Sequence, residues 1–518
     1  MLFNSYLFLF GFLPLALAGF QIASRLHRRA VVVWLSLASL VFYAWWKPEL
    51  LVILIGSISF NYLAAALIQR SIPSPVSSRV WLWIAVVADL LLLAFYKYFF
   101  PALNGVSSIL HAGRHWSNVT LPLAISFFTL TQIAYLVDLY EGGARQQAFT
   151  DYVLFVTFFP HLIAGPILHH REMMPQFQRE RFGLKRSDVA VGLTWFVLGL
   201  GKKVLIADSF AKIANPAFQT QLPLQTGAAW LGAVAYALQL YFDFSGYSDM
   251  ALGLARMFSI DFPLNFNSPC KSASVIEAWQ RWHMTLARYI FTYIYKPLQR
   301  RVLRRRQRLG KGISREDRTR PGVFITVVAL PLTFTLFVAG VWHGAGLQFM
   351  AFGLLQGFYL SVNHAWRLFR RKPLPRATAV HPLERFAKRR LAVAFTFTCL
   401  MVSLVFFRAD SVGQAMGVLA GMAGLHGAGM HGAGLQAIPV LDWLKIAAGM
   451  VCVWAMPNTH QILTGFRPSL ETRAWGDRQF PAATRWAPTT AWSLGVAALF
   501  FVCMVHMGDA STFLYFQF

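Results

Sequence analysis

Forty-six consecutive residues, Pro321 to Trp366, contain no Asp, Glu, Lys or Arg, and a basic run closes the stretch on each side. Gln299–Arg320 holds ten Lys/Arg against two acids, and Arg367–Arg390 holds nine against one. Roughly 20 apolar residues cross a bilayer core of about 30 Å. With both basic ends held on the cytoplasmic side by the positive-inside bias, the stretch goes in and comes back as a hairpin. His343 lies 23 residues beyond Arg320 and 24 before Arg367, so it falls at the turn. A straight helix would carry it about 33 Å. Pro331 can kink the first leg, and Gly340, Gly344 and Gly346 permit an irregular turn. Such backbone is tolerated at membrane depth only when buried in protein or lining a cavity. An ionisable ring placed there is costly and is usually kept for a task.

The rest of the chain has the same character. Of 518 residues, 56% are hydrophobic and 13% charged. Apolar runs recur from Leu2–Ala23 and Ala30–Trp46 through Leu391–Phe407 to Thr490–Met507, and they predict about ten to thirteen spans of an all-α polytopic membrane protein. No soluble domain separates from residues 1–518, which divide loosely into N-terminal helices (1–114), a core (115–370) and C-terminal helices (371–518). The first charge, Arg25, follows the first apolar run, so that run reads as a retained helix rather than a cleaved signal, with the N-terminus outside. The net charge of +26 fits topology and attraction to anionic headgroups, with some capacity to draw in a polyanionic cytosolic ligand. Nucleic acid is a poor partner for a chain so immersed in lipid. Cys270, Cys399, Cys452 and Cys503 show no metal or disulfide spacing and read as small hydrophobes. No metal site is expected.

Three further regions carry polar chemistry. Tyr241-Phe242-Asp243-Phe244-Ser245-Gly246-Tyr247-Ser248-Asp249 sets Asp243, Ser245 and Asp249 in an apolar context, where the carboxylates could orient a histidine, bind a cation or cap helices. Phe262–Pro269, with Asn265 and Asn267, reads as an extended loop. It leads into an amphipathic helix through Trp279, Arg281, Trp282, His283 and Leu286, re-entrant or interfacial rather than spanning. The glycine-rich Gly417–Gly434 is expected to be a loop or a loose hairpin; it repeats His-Gly-Ala-Gly at His426 and His431, where a structural role is expected. Hydrolase, zinc-protease and phosphate-loop motifs are absent.

Taken in order, several strings resemble the membrane-bound O-acyltransferase family, in the bacterial branch of the alginate O-acetylation membrane protein. They are Val41-Phe42-Tyr43-Ala44-Trp45-Trp46, Ile125-Ser126-Phe127-Phe128, Phe159–Pro166, Tyr241–Asp249, Asn265-Phe266-Asn267-Ser268-Pro269, Trp279-Gln280-Arg281-Trp282-His283 and Trp342-His343-Gly344-Ala345. The resemblance implies a ring of membrane helices, with re-entrant segments, around a central tunnel. It implies that His343 is catalytic and His283 supports it, with Arg281, Trp282, Asn265, Asn267, Asp243, Ser245, Asp249 and Trp342 around them. The residues after His283 depart from the family pattern, which leaves alginate open as the substrate. The implied reaction moves an acetyl group from a cytosolic thioester, with acetyl-CoA as donor substrate and no bound cofactor, to hydroxyls of an extracytoplasmic polysaccharide. A periplasmic acetyltransferase partner, polysaccharide-synthesis machinery and membrane lipids are the implied partners, in a bacterial inner membrane. D-alanyl transfer from a carrier-protein thioester is the sibling alternative. A secondary transporter would need paired halves with interrupted helices, and a pure assembly scaffold would not need His343.

Overall fold

The fold is described from a computed structural model, which covers the chain except residues 112–115, 117–119, 221, 313, 315, 371–380, 428, 430–437, 467–468, 471–480, 482–483, 510–512 and 515–518. His431 and the middle of the second basic run lie outside the described residues. Among those described, every regular element is a helix. Six are long and apolar enough to cross a membrane: Leu7–Leu26, Pro48–Arg70, Pro75–Ile109, Arg186–Gln219, Pro321–His343 and Pro382–Arg408. The bent pair Val440–Ala455 and Thr459–Phe466 makes a seventh if it is one span, and three shorter apolar helices accompany them. The chain is therefore an all-α, multi-pass membrane protein.

It divides into two compact units. The first comprises Met1–Leu205, Phe244–Leu264 and the described residues from Thr459 on; the second comprises Ile206–Asp243 and the described residues of Asn265–Asn458. In the first unit the Arg186–Gly201 helix packs on the later part of the Thr226–Met257 helix through two pairs of glycines. A Cβ on Gly199 would fall 2.6 Å from the Gly246 carbonyl oxygen, and one on Gly253 would fall 2.4 Å from that of Gly192. Small residues at such a seam let backbones approach closely where lipid supplies no hydrophobic drive. Asp249 sits on this seam and accepts from Trp195 Nε1 (3.0 Å), Lys202 Nζ (2.6 Å) and Thr459 Oγ1 (2.7 Å). Its carboxylate ties elements together and caps no helix; Asp243 and Asp249 both lie inside Thr226–Met257.

The second unit contains the predicted hairpin. A π-helical turn, Ile325–Ala329, precedes Leu330–His343, so Pro331 is accommodated by a widened turn at the start of the regular helix rather than by a break within it. The return leg is Leu347–Phe369. The legs meet backbone to backbone: a Cβ on Gly340 would fall 2.3 Å from the Phe349 carbonyl oxygen, and one on Gly353 would fall 2.5 Å from that of Leu336. Part of the glycine-rich segment departs from expectation. Val412–Met422 is helical, running through Gly417, because Gly421 allows close approach to the Leu224 carbonyl, 2.5 Å from where its Cβ would lie. Packing here overrides the weak helix propensity of glycine. Gly353→Val is expected to lower stability by about 1–3 kcal/mol or more through overpacking against backbone, read as a fall in the thermal midpoint of the purified protein. Gly417→Ala, whose added Cβ meets nothing, should leave that midpoint unchanged or raise it.

Candidate active site

Three of the singled-out strings meet in the second unit. Tyr241, Phe266 and Trp282 form an aromatic cluster, with Phe266 edge-on to Trp282 at 5.2 Å and Tyr241 6.3 Å from Trp282. The extended loop and the Trp-His segment are stitched by two backbone bonds, Asn267 N–H to the Arg281 carbonyl and Met284 N–H to the Asn265 carbonyl, each 2.9 Å. These bonds explain why the expected continuous helix is not formed. It ends as Val275–Trp279, turns, and restarts as Met284–Ile290. His283 occupies the turn with left-handed backbone, φ 41° and ψ 53°. A residue with a Cβ pays roughly 1–3 kcal/mol for that conformation and keeps it only where its surroundings over-determine it.

What over-determines it is Asn265. Its side-chain oxygen accepts from Thr285 Oγ1 at 2.9 Å and lies 2.8 Å from His283 Nδ1. An imidazole nitrogen facing an acceptor must carry the proton, so Nδ1–H is fixed and Nε2 is the lone-pair nitrogen. Burial, at 3% exposure, pushes the His283 pKa down to about 3, so the ring is neutral at physiological pH. Arg281 braces the turn: Nη1 donates to the Asn267 carbonyl at 3.3 Å, and Nη2 pairs with Glu277 Oε1 at 3.2 Å. Asn267 Oδ1 accepts from Asn458 Nδ2 at 2.9 Å.

His343 is held differently. It is the last residue of the first hairpin leg, half-buried, with the Phe407 ring edge-on at 5.0 Å, Phe352 at 6.2 Å and Trp342 at 4.9 Å. The return leg carries the His283 segment. Ile276 N–H donates to Asn363 Oδ1 (3.1 Å), Arg367 Nη2 donates to Ser274 Oγ (2.9 Å), and Trp279 Nε1 donates to Gln356 Oε1 (2.8 Å). Gln356 Nε2 in turn donates to Ser403 Oγ at 2.6 Å. Both histidines are thus fixed to one hairpin.

Asp243 is buried within the second unit, whereas Ser245 and Asp249 belong to the first, Asp249 on the partners given above. Sequence reading missed Gln356, Asn363, Thr285 and Asn458. A signal existed for the first two, polar residues seven apart in the charge-free stretch. Among the described residues no three His, Cys, Asp or Glu side chains gather as a metal site would require. His426 lies in a turn after the Val412–Met422 helix.

Comparison with known proteins decides the family. The chain is 35% identical to a peptidoglycan O-acetyltransferase of Helicobacter pylori, an alignment covering 100% of this chain and 98% of that one. It is 36% identical to "Probable alginate O-acetylase AlgI" of Azotobacter vinelandii over 82% of this chain and 78% of the relative. The protein of the same name from Pseudomonas aeruginosa is 34% identical over 82% and 75%. The family description "MBOAT, membrane-bound O-acyltransferase family" matches residues 145–310. The chain belongs to the membrane-bound O-acyltransferase family. It is an O-acyltransferase, close to the bacterial branch that acetylates envelope polymers. The family match spans the Asn265–His283 turn, and the full-length relative extends the likeness through the hairpin and the C-terminal third.

The depressed pKa of His283 has a signed consequence. Above the ordinary value of 6.5, folded and unfolded states are both neutral and the contribution of the buried ring is intact. As pH falls from 6.5 towards about 3, the unfolded chain takes up a proton that the folded one refuses, and stability is lost. Thermal midpoints of purified protein between pH 8 and pH 5 should therefore fall more steeply in wild type than in His283→Asn.

Proposed function

We propose that this chain moves an acetyl group from cytosolic acetyl-CoA to a hydroxyl at the extracytoplasmic side of a bacterial inner membrane, for O-acetylation of an envelope glycan. The observation that carries the acceptor class is the 98% coverage of a relative named for peptidoglycan O-acetylation, which takes in the C-terminal third. The alginate-named relatives of Azotobacter vinelandii and Pseudomonas aeruginosa are matched over 78% and 75% of their length, and they favour an exopolysaccharide as the second reading. A separate periplasmic acetyltransferase and the polymer-synthesis machinery complete the relay in this proposal. It also treats residues 1–518 as one membrane-embedded domain of ten to thirteen helices, N-terminus outside, surrounding a tunnel. D-alanyl transfer is set aside in favour of acetyl.

The chemistry assigned to the site is acyl transfer. His343 takes the proton of the incoming hydroxyl, the oxygen attacks the thioester carbonyl, the carbon–sulfur bond breaks, and the proton passes to the departing thiolate. An ester and a free thiol result, without ATP. An alternative sequence has His343 carry the acyl group transiently. His283 suits an orienting role. Its Nδ1–H is committed to Asn265, so Nε2 accepts a hydrogen bond from a hydroxyl or thiol and is not the donor that polarises a carbonyl. Asn265, Asn267, Arg281 and Trp282 hold that ring, and Trp342 borders His343. Asp243, Ser245 and Asp249 support the frame.

His343→Ala should lower acetyl transfer about 10²–10⁴-fold, the usual contribution of a positioned base, with the protein still present in membranes. The measurement is acetate released by mild base from purified sacculi and, separately, from secreted polysaccharide. Normal ester content in the variant would sink the assignment. Ester lost from the exopolysaccharide alone would move the acceptor to the second reading.

A further inference from the structure

A carboxyl group stands near the middle of the Pro75–Ile109 span, in the first unit, and the transfer chemistry does not use it. This is Asp89, 2% exposed. Facing it from the preceding span, Pro48–Arg70, is Asn61, at 0% exposure. Asn61 Nδ2 donates to Asp89 Oδ1 at 2.8 Å and to the Ser57 carbonyl at 3.0 Å. A backbone carbonyl only accepts, so it fixes which end of the carboxamide is the nitrogen. Both amide hydrogens are then spent. Asn61 Oδ1 and Asp89 Oδ2 are left as buried acceptors, and among the described residues nothing donates to either.

No described cation answers the carboxylate. Arg79 precedes Asp89 by ten residues and Lys97 follows it by eight, about 15 Å and 12 Å along a helix. Neither pairs with it, and Arg79 donates to the Tyr140 hydroxyl. The ionisable groups of the neighbouring helices are engaged elsewhere. Asp138 pairs with His170 at 3.2 Å, and Asp151 pairs with Arg28. The hydroxyls of Tyr62, Tyr135 and Tyr152 donate to the Gln147 carbonyl, the Arg145 carbonyl and Gln132 Oε1. Water could donate to both open acceptors, but it would leave an anion at membrane depth without a counter-charge, which is costly. A hard metal cation needs about six oxygens, and only two stand open here. One proton meets both demands. Placed on Asp89 Oδ2 it removes the charge, and the O–H so formed donates to Asn61 Oδ1.

We propose that Asp89 and Asn61 form a proton-binding site within the membrane, where Asp89 is a neutral carboxylic acid closed against the Asn61 carboxamide by two antiparallel hydrogen bonds. The site fastens two successive spanning helices to each other. Loss of the proton would set a carboxylate oxygen against the Asn61 carbonyl oxygen and part the pair, so the proton acts as a latch. The proposal is independent of the roles given to His343 and His283.

The experiment is infrared spectroscopy of the full chain in phospholipid vesicles at neutral pH, read as the difference between wild type and Asp89→Asn. A protonated carboxyl has a carbonyl band above the amide region, where a carboxylate has none. Wild type should show one such band that Asp89→Asn lacks. The asparagine keeps the shape of the pair, because its N–H can donate where the O–H did, so its thermal midpoint should match wild type. Asn61→Leu removes the acceptor and should move the band to higher frequency, as happens when a carboxyl loses a hydrogen bond. A wild-type difference spectrum with carboxylate bands instead overturns the proposal without any further variant. A band that Asn61→Leu leaves in place overturns the pairing with Asn61. Should Asn61→Leu fail to fold, thermal midpoints decide: Asp89→Leu must fall below Asp89→Asn, and equal midpoints overturn the latch. The spectra need no acetyl donor, so a failure of the transfer reading leaves them unchanged.

Discussion

One carboxamide joins the parts of the second unit that matter most. Gln356 accepts from the Trp279 indole and donates to Ser403, so the segment that ends in His283, the return leg of the hairpin and the Pro382–Arg408 helix share a buried hydrogen-bonded node. In an apolar layer such groups cannot fall back on water. The segment is therefore held by geometry as much as by contact area. Asn363 and Arg367 extend the same edge of the helix towards Ile276 and Ser274. The result is a short, strained, polar piece of chain fastened along one rigid helix, which is how a site that must keep its shape is best supported.

The two histidines are restrained by opposite means, and this fits a division of labour. His283 is locked by Asn265 in one tautomer, in left-handed backbone, buried and neutral. A ring so constrained is suited to orienting another group and poorly suited to taking up a proton. His343 is bordered by the aromatic rings of Phe407, Phe352 and Trp342. It also stands at a helix C-terminus, where the unsatisfied carbonyls favour a cation. An imidazole that must become imidazolium during a reaction gains from that placement, and one that must stay neutral gains nothing from it.

How much of this was legible follows from which forces act over long sequence distances. The hairpin and the position of His343 at its turn were readable because charge exclusion and span length set them together. The loop through Asn265 was readable from its lack of helical spacing. The break at His283 was not, because the periodicity of Trp279, Trp282 and Leu286 is genuinely helical. It is overruled by backbone bonds to Asn267 and Asn265, 14 and 19 residues upstream of Arg281 and Met284. Asp249 could be taken for a site carboxylate because sequence shows its apolar neighbours and not Trp195, Lys202 and Thr459, which occupy it.

The repeated His-Gly-Ala-Gly string shows why a motif needs its surroundings. After His343 the backbone at Gly344 is extended, and a Cβ there would collide with the Phe349 ring at 2.1 Å. Glycine is required for space, so that the return leg can close beneath the imidazole. After His426 the backbone at Gly427 has φ +95°, a Cβ would meet nothing, and the carbonyl accepts from Thr226 N–H and Oγ1. Glycine is required there for conformation, so that a turn can cap the start of the Thr226–Met257 helix. The same letters satisfy a packing demand in one place and a dihedral demand in the other. Only the first sets an ionisable ring against the aromatic side chains of a membrane hairpin.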